Sequence, residues 1–171
     1  MDLTKILPIK KWCAIESYLF DVYHIQGSVF NTEGIRITDT KNWSNPLCPV
    51  IKSTDKGQSF ICSVAHMNMA KQAVKSKSAV VDTCDAGLLK IVVPICFDGK
   101  YLGVIGGCGL LSEGGEVDAW AVNKLTGIDK TKVERLSKDI ATISEDQINS
   151  ACNYIQNQLT NIYDHYKNQL A

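Results

Sequence analysis

The spacing of apolar residues along the chain predicts a series of helices. A stripe with steps of three and four residues, containing Trp12 and Leu19, predicts a first helix over 9–25 that begins after Pro8 and ends near Gly27. Two short helices are predicted at 117–126 and 129–140. A second long helix is predicted at 58–76, with an apolar side formed by Phe60, Ile61, Val64, Met67 and Ala70.

Runs of β-branched and apolar residues between these helices predict an antiparallel sheet. The expected strands are 28–30, 35–38, 80–83, 88–96 and 101–111. The last two strands form a hairpin that turns at Asp98-Gly99, whereas 39–57 is punctuated by Asn, Ser, Pro and Gly and is predicted to be irregular. An antiparallel sheet flanked by helices is an α+β arrangement.

The C-terminal segment carries the clearest helical signal. Ser144 and Gln147 have the spacing of a capping box. A nearly heptad stripe follows, consisting of Ile148, Ala151, Ile155, Leu159, Ile162, Tyr166 and Gln169. Such a stripe packs either on the core of its own domain or on a second copy of the helix, and the second case predicts a homodimer. We therefore divide the chain into a domain over 1–142 and a C-terminal helix over 143–171.

Composition and charge narrow the classes of protein. The chain is 45% hydrophobic and 21% charged, as is usual for a folded domain, and its formal net charge is zero. A neutral chain gives no indication of direct nucleic-acid contact or of binding to an anionic membrane. No apolar run approaches the roughly 18 residues of a membrane span, and the N-terminus lacks a signal-peptide core. We expect a cytoplasmic protein with no membrane contact.

The seven cysteines and the glycines of the hairpin supply the candidate chemistry. An odd number of cysteines in a reducing compartment argues against a disulfide framework. Cys84 and Cys108 lie at comparable distances from the hairpin turn, so we expect them near the same open end. Gly106 and Gly107 expose backbone there, and we expect a ligand to approach it closely.

Three other residues each allow two interpretations. Asp85 either accepts hydrogen bonds from a ligand or stabilises the turn before Ala86. Trp43 either packs on the core as part of a lid or contacts the ligand. His66 follows Cys62 by four residues and shares its helix face, which fits a metal pair but equally fits a histidine at the edge of the core.

The residues around the hairpin also carry a family resemblance. The chain resembles the PocR-type sensory domain, a PAS/GAF-like ligand-binding module of signalling proteins, over roughly residues 5–112. The resemblance is carried by Cys84, Ala86-Gly87-Leu88, Val93-Pro94-Ile95, Asp98-Gly99, Leu102-Gly103 and Gly106-Gly107, with Cys48 and Cys62 upstream. The chain departs from the family at Asp85, where the family has His, and at Cys108, where it has Gln.

The resemblance implies a PAS/GAF-like fold whose segments surround one pocket. It also implies a small-molecule ligand, such as a short diol or related hydrocarbon derivative, and a signal that passes through the C-terminal helix in transcription regulation. The ligand-binding residues expected on this basis are Trp43, Cys48, Cys62, Cys84, Asp85, Gly106, Gly107 and Cys108.

Two alternatives to this sensory function remain open. Thiolates of Cys48, Cys62, Cys84 and Cys108 that converge on one point suit zinc or an iron–sulfur cluster, although their spacings of 14, 22 and 24 residues match no ordinary motif. A small cysteine-dependent enzyme requires Cys62 or Cys84 to pair with His66. Because the sequence has no nucleophile elbow, phosphate loop or His-Glu-x-x-His motif, a protein without enzymatic activity is favoured.

Overall fold

The computed structural model describes residues 2–170 and the side chains of residues 2–169. Met1 and Ala171, where the predicted domain (1–142) begins and the predicted C-terminal helix (143–171) ends, lie outside the described residues. The helices are α1 (Leu3–Ile6), α2 (Ile9–Tyr23), α3 (Leu47–Lys52), α4 (Asp55–Gly57), α5 (Val64–Ser76), α6 (Ala119–Thr126), α7 (Lys130–Ser137) and α8 (Glu145–Leu170). A π-helix, Gln58–Ser63, joins α4 to α5. The strands are β1 (Gln26–Asn31), β2 (Val80–Thr83), β3 (Leu89–Phe97), β4 (Lys100–Ser112) and β5 (Thr142–Ile143).

The strands form a five-stranded sheet in the order β1-β4-β3-β2, and the short β5 pairs with β4 in parallel. All other pairings are antiparallel. The β3–β4 hairpin turns at Asp98 (φ 50°) and Gly99 (φ 73°), and positive φ at both central residues is the mark of a type I′ turn. The predicted hairpin, the strand at 80–83 and the α+β class are confirmed.

The alternation of side chains along the strands gives the sheet two different faces. On one face, Ile91 of β3 and Ile105 of β4 are buried in a core with α2 and α8. On the other face, Val92 and Val104 pack on α5. A third buried cluster, built with α3, α6 and α7, lies where β3 begins and β4 ends. The second face and the third cluster enclose the space described below.

Helix α8 begins at the predicted cap and packs on its own domain. Ser144 Oγ accepts the Gln147 N–H at 3.2 Å, and Gln147 Oε1 accepts the Ser144 N–H at 3.0 Å, as in a capping box. The buried stripe of α8 consists of Ile148, Ala151, Ile155, Leu159 and Ile162. The stripe is thus buried in the core of the same chain and is not free to pair with a second copy of the helix. The division of the chain at residue 142 stays a prediction.

No helix in the described part of the chain, residues 2–170, has both the length and the apolar character that crossing a membrane requires.

The region between α2 and α5 differs from its prediction in three ways. Helix α2 ends at His24 in the left-handed conformation (φ 58°), three residues before Gly27. Residues 35–38 do not form a strand, and Arg36 makes an isolated bridge to Phe30. The Arg36 side chain donates to Glu16 Oε2 at 3.1 Å. The segment predicted to be irregular contains α3 and α4.

The predicted helix over 58–76 is a π-helix followed by α5, and its buried side differs from the prediction. A π-helical turn holds an additional residue, so it shifts the phase of the apolar pattern. Phe60, Val64 and Met67 are therefore 51%, 40% and 54% exposed. The side that faces the sheet carries His66 and Met69 instead.

The tip of the hairpin is joined to the last turns of α8. The Asp98 carboxylate accepts a hydrogen bond from Tyr163 Oη at 2.6 Å and one from Lys167 Nζ at 3.0 Å. These two hydrogen bonds, that of Tyr163 first, lower the pKa of Asp98. The Phe97 and Tyr163 rings also pack, with centroids 5.0 Å apart.

Truncation of Ile155 tests whether α8 belongs to the core of its own domain. Ile155 is 1% exposed, so Ile155→Ala should lower the free energy of unfolding by about 2–5 kcal/mol through lost burial and a cavity. Urea unfolding measures the loss, and the exposed control Asn157→Ala should stay within about 0.5 kcal/mol of wild type. A loss that varied with protein concentration would contradict packing within one chain.

The substitution Asp98→Asn tests the link between the hairpin and α8. Asparagine tolerates the left-handed conformation of the turn, so the change removes the charge and leaves the backbone unstrained. Amide hydrogen exchange should accelerate in the last two turns of α8 while the melting temperature changes little. Asp164→Asn, an exposed acid on the same helix, is the matched control. Equal exchange in both variants would show that Asp98 does not hold the helix.

Candidate functional site

A cavity of about 520 Å³ lies between the α5 face of the sheet and the helices above it. Strands β1, β3 and β4 form its floor, and α3, the π-helix and the first turn of α5 form its roof. The loop after β2 closes one side with Cys84, Ala86 and Leu88. The volume lies in the range of pockets that hold small molecules.

Three floor residues lie in one row across the sheet. Cys108 of β4 is paired in register with Gln26 of β1 on one side and with Lys90 of β3 on the other. Residues directly opposite each other in antiparallel strands share a face, so all three side chains belong to the face that lines the cavity. Gln26 and Lys90 are separated by two strand spacings, roughly 10 Å.

The roof is anchored to the floor through Asn45. Its side-chain oxygen accepts the N–H groups of Leu47 and Cys48, both at 2.8 Å, where α3 begins. Its Nδ2 donates to Gly109 O of β4 at 2.6 Å. This buried amide therefore fixes where α3 begins relative to the sheet, and it holds Cys48 at the cavity.

The four cysteines that the resemblance implied for one pocket all line this cavity: Cys48 on α3, Cys62 on the π-helix, Cys84 after β2 and Cys108 on β4. Burial raises the pKa of the Cys48 and Cys84 thiols. It also raises the pKa of Cys62 to about 11. Because a thiol with a raised pKa stays protonated at neutral pH, these side chains present weakly polar S–H groups instead of thiolates.

Within residues 2–170, no three His, Cys, Asp or Glu side chains are arranged to hold a metal ion. Lys52 and Lys90 line the same cavity, and their positive charges disfavour a cation. The zinc or iron–sulfur interpretation of Cys48, Cys62, Cys84 and Cys108 thus gains no support from this geometry.

Two buried polar atoms of the cavity lack a hydrogen-bond partner. They are Oε1 of Gln26 and Nδ1 of His66, and the two residues are 3% and 7% exposed. Burial, followed by the charges of Lys90 and Lys52, lowers the pKa of His66 to about 4, so the ring is neutral at physiological pH. Buried polar groups are almost always hydrogen-bonded, so the protein leaves two hydrogen-bonding requirements unmet in residues that line the cavity.

Four residues predicted to bind a ligand lie elsewhere. Trp43 does not line the cavity, but its ring lies 5.6 Å from Nζ of Lys52, which does. Asp85 lies in a shallow depression beside α6, on the outer side of the loop after β2. Gly106 and Gly107 lie in the middle of β4, at neither the cavity nor the end of the hairpin.

The two glycines serve the packing of β4 between its neighbours. A Cβ on Gly106 would lie 1.9 Å from the carbonyl oxygen of Ile91, and one on Gly107 would lie 2.3 Å from Cγ2 of Ile25. Both positions require glycine because neighbouring atoms of the protein occupy the space. The expectation that they admit a ligand is therefore not met in this structure.

Sequence reasoning missed Gln26 and Lys90 as residues of the site. Lys90 had a detectable signal, because it is the one charged residue within the apolar run 88–96 and lysine is rarely buried without a partner. Gln26 had no signal, since its importance comes from its register with Cys108. The π-helix over the cavity was also missed, although such segments occur frequently at functional sites.

A comparison with family models places the chain. The model described as the sensory domain found in PocR matches residues 5–166. This range extends well past residue 112, where the resemblance seen in the sequence was expected to end, and it includes most of α8. No curated protein and no solved structure gives a significant match. Since the family model covers far more than half of the 171 residues, the chain belongs to the PocR sensory-domain family.

Proposed function

We propose that this sensory domain binds a small metabolite in the cavity above Gln26, Cys108 and Lys90. The observation that carries the proposal is the pair of buried polar atoms, Gln26 Oε1 and His66 Nδ1, that lack partners inside a cavity with largely apolar walls. A ligand that supplies hydrogen bonds to them offsets the cost of their burial. The short diol that the family resemblance suggests is one candidate small enough to enter the cavity.

A binding function is favoured over an enzymatic one by the state of the cavity side chains. The raised pKa values of the Cys48, Cys62 and Cys84 thiols keep these three groups protonated, and a protonated thiol is a poor nucleophile. His66 is the histidine of the cavity, and its Nδ1 bonds to no thiol. We therefore propose that the domain is not an enzyme, since a cysteine nucleophile requires a lowered pKa or an adjacent base.

The proposed signal passes from the cavity through β3 and β4 to α8. Lys90 faces the cavity, while its neighbours Leu89 and Ile91 belong to the core that includes α8. A shift of these strands on binding therefore reaches α8 through packed side chains, and Asp98 adds the link at the hairpin tip. A ligand acts in this way only through different affinities for two states of the helix.

Several finer expectations stay predictions. These are the cytoplasmic location, the role in transcription regulation, the lack of direct nucleic-acid contact and the homodimer, which would need a surface other than the buried stripe of α8.

Filling the cavity tests the proposed function. Cys108 lies at the centre of the floor, so Cys108→Phe should occupy the ligand space and leave the fold intact. Thermal unfolding is measured with a panel of alcohols, diols and carboxylic acids of two to eight carbons. Wild type should be stabilised by some members of the panel, and Cys108→Phe by none.

The matched control is Cys96→Phe, which makes the same substitution at an exposed position of β3. It should respond to the panel like wild type. A Cys108→Phe protein that keeps the wild-type response would contradict ligand binding in this cavity, as would a wild type that responds to no compound.

A further inference from the structure

We propose that the ligand is an anion, namely a small carboxylic acid whose carboxylate binds Lys90. The inference deepens the proposed function and rests on it, because it names the chemical class of the ligand for the same cavity. Its basis is a buried lysine, the balance of charge around it and the positions of the other polar groups.

Lys90 is 8% exposed and extends from the middle of the sheet into the cavity. A buried ammonium group is normally paired with an anion. The ion pairs among the described residues join Arg36 to Glu16, Lys130 to Glu134 and Lys167 to Asp98, and none of them involves Lys90. The structure thus leaves Lys90, a largely buried lysine that lines the cavity, without an ion-pair partner among the described residues.

The nearest candidate in the sheet does not compensate Lys90. Asp82 of β2 lies directly across from Lys90, but it is exposed at the edge of the sheet. Its Oδ1 accepts the Thr83 N–H at 2.8 Å, and no ion pair with Lys90 forms. The cavity side of Lys90 therefore remains open to an anion from outside the chain.

The other charges of the cavity also favour an anion. Lys52 adds a second positive charge, while the charge of Arg36 is compensated by Glu16 at 3.1 Å. Glu33 is the one carboxylate in the lining, and it is exposed at the rim. A cationic ligand would meet two lysines with no buried carboxylate, whereas an anion gains from both.

The other residues that line the cavity indicate the chemical character of the ligand beyond its carboxylate. Ile51, Ile61 and Leu88 provide apolar walls for a hydrocarbon body. Gln26 lies roughly 10 Å from Lys90 across the sheet, and its free oxygen requires a donor. A hydroxy acid meets both requirements, because its carboxylate pairs with the Lys90 ammonium group while its hydroxyl donates to Oε1 of Gln26.

Three matched series of compounds test this inference. They are straight-chain ω-hydroxy acids, α,ω-diols and ω-amino alcohols of two to eight carbons, which differ only in the charge of one end. Affinity is measured by calorimetry with wild type, Lys90→Met, Lys90→Arg and Lys71→Met. Lys71 is exposed on α5 outside the cavity, so its variant loses the same charge elsewhere.

The acids should bind wild type at least about tenfold more tightly than the diols and amino alcohols of equal length, as charge-assisted hydrogen bonds predict. Lys90→Met should weaken acid binding roughly tenfold to hundredfold and change diol binding less than ~3-fold. Lys90→Arg should retain part of the preference for acids, and Lys71→Met all of it.

Two results would overturn the inference and leave the proposed function standing. One is binding of diols or amino alcohols as tightly as acids, and the other is unchanged acid affinity in Lys90→Met. Absence of binding by all three series to wild type would overturn both the inference and the proposed function.

Discussion

The register of the β3–β4 hairpin is the constraint on which the rest of the structure depends. It pairs Lys90 with Cys108 on one face, while Ile91 faces the core that contains α8. Because side chains alternate along a strand, a slip of one residue would bring the lysine into that core and place apolar side chains of β3 on the cavity floor. The type I′ turn at Asp98-Gly99 and the bulge between Ile95 and Cys96 together set this register. The hydrogen bonds that Asp98 accepts from Tyr163 and Lys167 tie the turn to α8.

The parts of the fold that depend on local pattern were predictable. The hairpin, the capping box of α8 and its apolar stripe follow from turn chemistry and periodicity. The parts that depend on tertiary contacts were not. Residues 35–38 form an isolated bridge in place of a strand, and Arg36 bonds to a helix residue twenty positions earlier, a contact that local pattern does not reveal. The exposed side of α5 follows from a π-helical turn that apolar spacing does not reveal. The stripe of α8 fitted its own core and a partner equally well, and only the packed structure separates the two.

The site was predictable to the extent that it depends on cysteines. The family resemblance brought Cys48, Cys62, Cys84 and Cys108 together, and all four line one cavity. Gly106 and Gly107 were assigned to a ligand because a glycine pair in sequence does not reveal what fills the space, and here neighbouring strands fill it. Gln26 could not be predicted as a site residue, because only the pairing of β1 with β4 places it beside Cys108 on the cavity floor. The cavity thus combines the protonated thiols of Cys48, Cys62 and Cys84 with two other kinds of polar group. These are the unpartnered atoms of Gln26 and His66 and the ammonium group of Lys90, which forms no ion pair among the described residues.

The most direct measurement is amide NMR of the ¹⁵N-labelled protein, titrated with the alcohol, diol or acid that most raises its melting temperature. A ligand held above the floor row should produce its largest shift changes at Gln26, Lys90 and Cys108 and at His66 in the roof, with smaller changes along α8. Shift changes concentrated at the depression beside Asp85 and Trp120, with the floor row unaffected, would contradict a ligand site in this cavity.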